Sequence, residues 1–230
     1  MKRVLVIAAH PDDEVLGCGA TIAKHVKQGD EVHVVILAEG ITSRDTQRNR
    51  EKNTEKLSAL SAAADRAHQI LGSASLHLRD FPDNRMDSVD RLDIVKAVEE
   101  IVDQFRPDVI YSHHIGDVNI DHRRIHEAVV TACRPIPGNH LVKRLLFFEI
   151  CSSTEWQLAG SAPPFVPNWF IDVSDTLDKK MEALTAYDSE MRAWPHARSI
   201  KAVEHLSRWR GAVIGVEAAE AFILGRSIES

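Results

Sequence analysis

The chain has 230 residues, 44% apolar and 27% charged, with 28 Lys and Arg against 34 Asp and Glu. A formal charge of −6 and a pI near 6.0 argue against a general nucleic-acid binder, whose surface is normally basic. Three widely spaced cysteines (Cys18, Cys133, Cys151) form no CxxC pair, which argues against a disulfide framework or a thiolate metal site and fits a reducing cytosol.

Lys2–Ala9 reads as a continuous apolar strand, buried on both faces. Its apolar run is too short for a signal peptide. No other stretch approaches the ~18–20 apolar residues of a membrane span, so a soluble, cytoplasmic protein is expected. Residues 15–28 carry helical spacing and stop at Gly29-Asp30, and Glu31–Ala38 is a second, valine-rich strand. A polar loop over 39–45 leads to a helical stretch from about Thr46 to Leu71, closed by Gly72, and Leu76–Leu78 suggests a short strand. Ser88 is placed to cap a helix running to about Phe105, with Pro107 beyond its end. Residues 108–112 form another strand, then come a second polar loop and a helix from about His122 to Cys133.

This alternation predicts an α/β fold: a Rossmann-like, mostly parallel sheet with helices on both faces. Past residue 140 the pattern changes, with strands at 145–150 and 169–173 and helices at 175–188 and 200–210. With no repeat or long linker, residues 1–230 read as a single domain, the core at about 1–150 and a C-terminal extension at about 151–230.

The first strand ends in His10-Pro11-Asp12-Asp13-Glu14. Clustered carboxylates repel and resist burial unless a cation is near, so this strand tip points to metal chemistry. A helix N-cap needs one acceptor, not three acids. The second loop, His113-His114-Ile115-Gly116-Asp117-Val118-Asn119-Ile120-Asp121-His122-Arg123, also follows a strand, and in a doubly wound sheet both loops can meet at one edge. Two histidines and one carboxylate with open positions are the ligand set of a hydrolytic zinc site. His113 and His114 are adjacent on an extended backbone and face opposite ways, so at most one points into such a site. His126 is read as an ordinary, partly buried imidazole. Gly17-Cys18-Gly19 imitates a dinucleotide fingerprint poorly, since Ile22 holds the third glycine position. Cys18 is read as a small packing residue.

The His-Pro-Asp-Asp-Glu opening and the Gly-Asp-x-Asn-x-Asp-His-Arg loop resemble the LmbE-like (PIG-L) family of zinc-dependent N-deacetylases, which act on N-acetylglucosamine-type sugars. Phe81-Pro82-Asp83-Asn84-Arg85 resembles the family's middle motif, and Lys180-x-x-Ala183-Leu184-x-x-Tyr187-x-Ser189 its C-terminal one. The resemblance implies His10, Asp13 and His122 as zinc ligands and Asp12 as general base, with Asp121 orienting a ligand. It also implies Asp83 and Arg85 near the ligands or the substrate. Glu14 is left to orient its neighbours or the helix start. Where some members carry a histidine, this chain has Asn119. Either Asn119 donates a hydrogen bond itself, or His114 or His196 substitutes.

Arg44, Arg48, Arg50, Arg85, Arg123 and Arg124 lie in or near the polar loops and suggest a basic rim for phosphate or carboxylate. The expected substrate is a small N-acetylated sugar, a nucleotide-sugar or other anionic conjugate included. The cofactor is Zn²⁺, with Fe²⁺ accepted by the same ligands, and oligomerisation is left open. Alternatives are a metal-dependent phosphoesterase, a dinucleotide-binding oxidoreductase without metal, or a non-catalytic sugar-binding protein.

Overall fold

Alternating apolar strands and amphipathic helices assemble into one seven-stranded sheet in the computed structural model, which describes residues 1–229. In chain order the elements are β1 (Arg3–Ala8), α1 (Asp13–Lys27), β2 (Glu31–Ala38), α2 (Thr54–Leu71), β3 (Ser75–Phe81), α3 (Arg91–Phe105) and β4 (Val109–His113). They continue as α4 (Ile120–Ala132), β5 (Arg144–Phe148), β6 (Trp169–Asp172), α5 (Leu177–Ala186), α6 (Ile200–Ile214) and β7 (Ala219–Ser227). The sheet order is β3-β2-β1-β4-β5-β7-β6. β1 to β5 are parallel, while β7 runs antiparallel between β5 and β6.

Both faces of β1 are buried, and alternate residues serve separate cores. Val4, Val6 and Ala8 pack with residues of α1, α2 and α5, while Leu5, Ile7 and Ala9 pack with residues of α3 and α4. The chain steps from β1 to β2 on one side, then returns to place β4 on the other. The loops after β1 and β4 therefore diverge at the carboxyl edge and leave a crevice between them, the usual ligand position in such sheets.

Three elements differ from the sequence expectation. Residues 46–53 are not part of α2. Arg48 and Arg50 reach to Glu39 at the end of β2, and Asn53 bonds Asp45, so side-chain contacts hold this segment as a loop. Ser88 closes a 3₁₀ turn through its hydroxyl to the Arg85 carbonyl, and α3 begins three residues later. β7 is additional, since the sequence pattern assigns no element beyond residue 210. In the fold its Glu220 carboxylate is buried and paired with Lys180 Nζ at 2.6 Å.

The Lys180–Glu220 pair serves a break in α1. Cys18 leaves helical geometry (φ −150°, ψ 25°). Lys180 Nζ donates to the Leu16 carbonyl at 2.7 Å, and Glu220 accepts from the Ala20 and Thr21 amides at 3.2 and 2.7 Å. Backbone groups orphaned by the break are thus satisfied in the core. At Gly17 a Cβ would lie 2.5 Å from the Phe148 ring, so close packing and not phosphate binding explains that glycine. Lys180→Met leaves Glu220 buried and uncompensated, and is expected to cost about 3–5 kcal/mol. Urea unfolding checks this, and a loss under about 1 kcal/mol would contradict it.

Candidate active site

His10 follows β1 directly, Asp13 opens α1, and His122 lies in the first turn of α4, beyond β4. One oxygen, Asp13 Oδ2, gathers all three residues. It lies 3.1 Å from His10 Nδ1, 3.1 Å from His122 Nε2, and accepts the His10 amide at 2.9 Å. The remaining nitrogen of each imidazole faces further carboxylates. His10 Nε2 lies 3.0 Å from Asp121 and 3.3 Å from Asp83, and His122 Nδ1 lies 3.2 Å from Asp117.

These carboxylates are themselves fixed. Asp121 accepts the Asn84 and Met86 amides at 2.6 and 2.9 Å. Asp83 accepts the Ser43 amide. Asp117 accepts from Ser153, Thr154 and the Asn119 amide.

The electrostatics follow from this crowding. Burial opposes charge on His122, yet Asp13 and Asp117 hold its pKa up to about 9. Burial likewise opposes charge on His10, while Asp121, Asp13 and Asp83 push it well above the usual value. Burial disfavours the Asp13 carboxylate, but His122 and His10 hold it well below the usual range. Two imidazoles surrounded by four carboxylates make a field that favours positive charge. A divalent cation fits that donor set. One ligand atom each from His10, Asp13 and His122 lies within 4.8 Å of the others, and carboxylates orient both rings from behind. His10, Asp83 and Asp121 meet the same distance test, but there the two acids sit on the Nε2 side that orients the ring.

Asp12 belongs to neither group. It is 1% exposed, and its backbone adopts φ 117°. Such a conformation costs a non-glycine residue about 1–3 kcal/mol and persists only where surroundings impose it. Glu14 does so: its Oε2 accepts the Asp12 amide at 3.1 Å, while Oε1 takes the Tyr187 hydroxyl at 2.7 Å and His68 Nε2 at 3.2 Å. The orienting part expected of Glu14 has here a geometric form. Arg198 Nη1 donates to Asp12 Oδ2 at 3.0 Å, and its Nε to Ser152 Oγ at 2.9 Å. Burial drives the Asp12 carboxyl well above its usual pKa. Arg198 opposes that rise, while Asp13, Glu190 and Glu14 add to it.

A cleft of about 150 Å³ opens over these groups, with Arg44, Asn84, Asn119, Glu190 and Arg198 around Asp12 and the three donors. Asn119 caps α4 through Oδ1 to the Asp121 amide, and its Nδ2 donates to Asn84 Oδ1 at 2.9 Å. The other candidates for the histidine position lie elsewhere. His114 Nε2 bonds the Pro163 carbonyl and its ring meets Phe165. His196 is exposed, edges onto Trp156, and takes the Arg198 amide on Nδ1. Neither lines the cleft. Of the adjacent pair, His113 is the one turned inward. Its Nε2 accepts the Ala9 amide at 2.8 Å and its ring stacks on His122 at 3.9 Å. Burial and the neighbouring His122 push its pKa far down, so it stays neutral.

The expected basic rim is largely neutralised. Arg48 forks onto Glu39, while Arg44 pairs with Glu190, Arg50 with Glu39 and Asp80, and Arg124 with Glu127. Arg85 donates to the Asp45 and Thr46 carbonyls, and Arg123 lies outside the cleft lining. Sequence reasoning passed over Arg198, Glu190 and Asp117 as site residues. Asp117 sat inside the quoted loop, and Arg198 lies two residues beyond His196. Cys18 is buried, with its thiol pushed well above the usual value by desolvation, consistent with packing.

The chain is similar to several known proteins. An uncharacterized deacetylase of Escherichia coli K12 is 32% identical over 142 residues, 59% of this chain and 70% of the relative. A probable N-acetyl-α-D-glucosaminyl L-malate deacetylase of Bacillus anthracis is 28% identical over 191 residues, covering 82% of this chain and 81% of its own. In fold, the crystal structure of a 4-carboxy-2-hydroxymuconate hydratase from Pseudomonas putida KT2440 superposes with a TM-score of 0.77 at 22% identity, covering 100% and 98% of the two chains. The profile of the PIG-L (GlcNAc-PI de-N-acetylase) family matches residues 5–133, the span that carries His10, Asp12, Asp13 and His122, and the chain belongs to that family.

Proposed function

We propose that this protein is a metal-dependent amide hydrolase that removes the acetyl group from a small N-acetylated amino sugar or sugar conjugate. The observation that carries this reading is Asp12. It is a buried carboxylate that the candidate cation does not need, held beside the three donors by Arg198 and Glu14. Zn²⁺, or Fe²⁺, on His10, Asp13 and His122 would polarise the amide carbonyl and bring the pKa of water in the site down to ~7.

Asp12 takes the proton of the attacking water as oxygen adds to the carbonyl carbon. It then returns that proton to the sugar nitrogen as the C–N bond breaks, leaving acetate and a free amine. Its position supports this use, since the carboxyl is buried beside the three donors and held by Arg198 Nη1 at 3.0 Å. Arg198 supplies the fixed cationic donor expected of a histidine, and Asn119 Nδ2 has a second N–H for the developing oxyanion. Asp121 and Asp83 orient His10, and Asp117 orients His122.

Arg198→Gln is expected to lower kcat about 10–100-fold with a smaller change in KM, from the loss of one charge-assisted hydrogen bond. Arg198→Lys should recover part of it, and an unchanged kcat in the Gln variant would remove Arg198 from the mechanism. The reading as a whole is tested with Zn²⁺-loaded protein and a panel of N-acetylated amino sugars: free, glycosidically linked and nucleotide-linked. Acetate and primary amine should appear in equal amounts. A fully metallated sample that releases no acetate from any of them, or releases phosphate instead, overturns it.

A further inference from the structure

We propose a second binding site, for a small phosphate-bearing molecule, at the edge of the sheet opposite the candidate active site. Lys2 precedes β1, Gln28 follows α1, and Arg144 and Trp169 are the first residues of β5 and β6. Lys2 and Arg144 therefore lie at the amino ends of β1 and β5, and Gln28 at the end of α1 remote from Asp13. They line a cavity of about 220 Å³ together with Thr21, Lys24 and Tyr111.

Three cations converge there without a carboxylate partner among the described residues. The sequence neighbours Lys27 and Lys143 do find partners, in Asp175 and Asp108, but Lys2 and Arg144 do not. The Arg144 guanidinium lies 4.7 Å over the Trp169 ring, and its Nε is buried with no hydrogen-bond partner. Lys24 Nζ reaches only the Asp172 backbone carbonyl. The acids beside the cavity are already engaged: Asp30 by His25 Nδ1 at 2.8 Å and the Lys2 amide at 2.7 Å, Glu220 by Lys180 Nζ and the Thr21 amide, and Asp172 by the Ser174 hydroxyl.

An independent observation points to an absent ligand. Thr21 is 1% exposed and lines the cavity, yet its Oγ1 has no hydrogen-bond partner. A hydroxyl left unpaired in the interior is costly unless something fills the place. The Tyr111 hydroxyl is nearby and held by His25 Nε2 at 2.9 Å. A forked guanidinium, two ammonium groups and a hydroxyl around one small cavity match a phosphate dianion. Its several oxygens accept donors from different directions, whereas a monocarboxylate has one charge and two oxygens to offer. The arrangement uses no residue of the candidate active site, so it stands or falls independently of the proposed reaction.

Calorimetric titration of the metallated protein with inorganic phosphate at low salt tests the assignment, with sulfate and acetate as parallel arms. Saturable phosphate binding is expected, weakened at least about tenfold by Arg144→Gln and by Lys24→Gln, the size of one lost charge-assisted hydrogen bond. The hydrolytic rate should be unchanged in both variants. Should Arg144→Gln fail to fold, Lys24→Gln reads the same loss. No saturable binding up to about 20 mM, a range that reaches well past millimolar affinity, overturns the proposal. So does equal affinity in the variants, which would place the anion at the catalytic metal instead. Acetate binding as tightly as phosphate would overturn the phosphate assignment.

Discussion

Asp12→Asn is expected to lower kcat by about 10²–10⁴-fold, the range for removing a general base, while metal content stays at the wild-type level. The substitution keeps the shape of the side chain and an oxygen for Arg198 Nη1, but not the proton-accepting carboxylate. Glu14 holds the Asp12 amide regardless of the side chain, so the φ 117° backbone is retained. KM should move far less than kcat, because the lost interaction belongs to the transition state. A loss under about tenfold would assign the proton transfer to another group.

The second large effect concerns the cation. His122→Ala removes one donor and leaves Asp13 and Asp117 facing each other across a cavity with no imidazole between them. Metal affinity should fall by more than about 100-fold, beyond the 10–100-fold typical of residues that only hold a ligand in place. Asp117→Asn supplies that smaller comparison, because Asp117 touches His122 Nδ1 and none of the other two donors. Competition with a chelator measures both. Equal losses in the two variants would contradict the division between donor and support, and an unchanged affinity in His122→Ala would remove it from the ligand set.

Much of the convergence was legible in the chain because the relevant residues sit where strands end. His10, Asp12 and Asp13 follow β1 without interruption, and Asp121 and His122 follow β4 by one short loop. The parallel sheet then brings the two segments to one crevice with little freedom left. Strand geometry also separated His113 from His114, and the fold turns one inward and the other toward Pro163.

What sequence could not reveal depends on partners far away in the chain. Arg198 reaches Asp12 across 186 residues, carried by the segment between α5 and α6. Spacing fixes no such approach. The arginines of the polar loops looked like a basic rim because Asp80 and Glu190, which pair with Arg50 and Arg44, lie far along the chain from them. The same holds for β7. Its Glu220 gains a role only once Lys180 and the broken turn at Cys18 are placed around it.

The most direct measurement follows acetate release from an N-acetylated amino sugar while Zn²⁺ is added back to chelator-treated protein. The rate should rise in proportion to bound metal and level off at about one equivalent per chain, as one three-donor site requires. Acetate release at the full rate from metal-free protein, or saturation of the site with no acetate formed, would contradict the account.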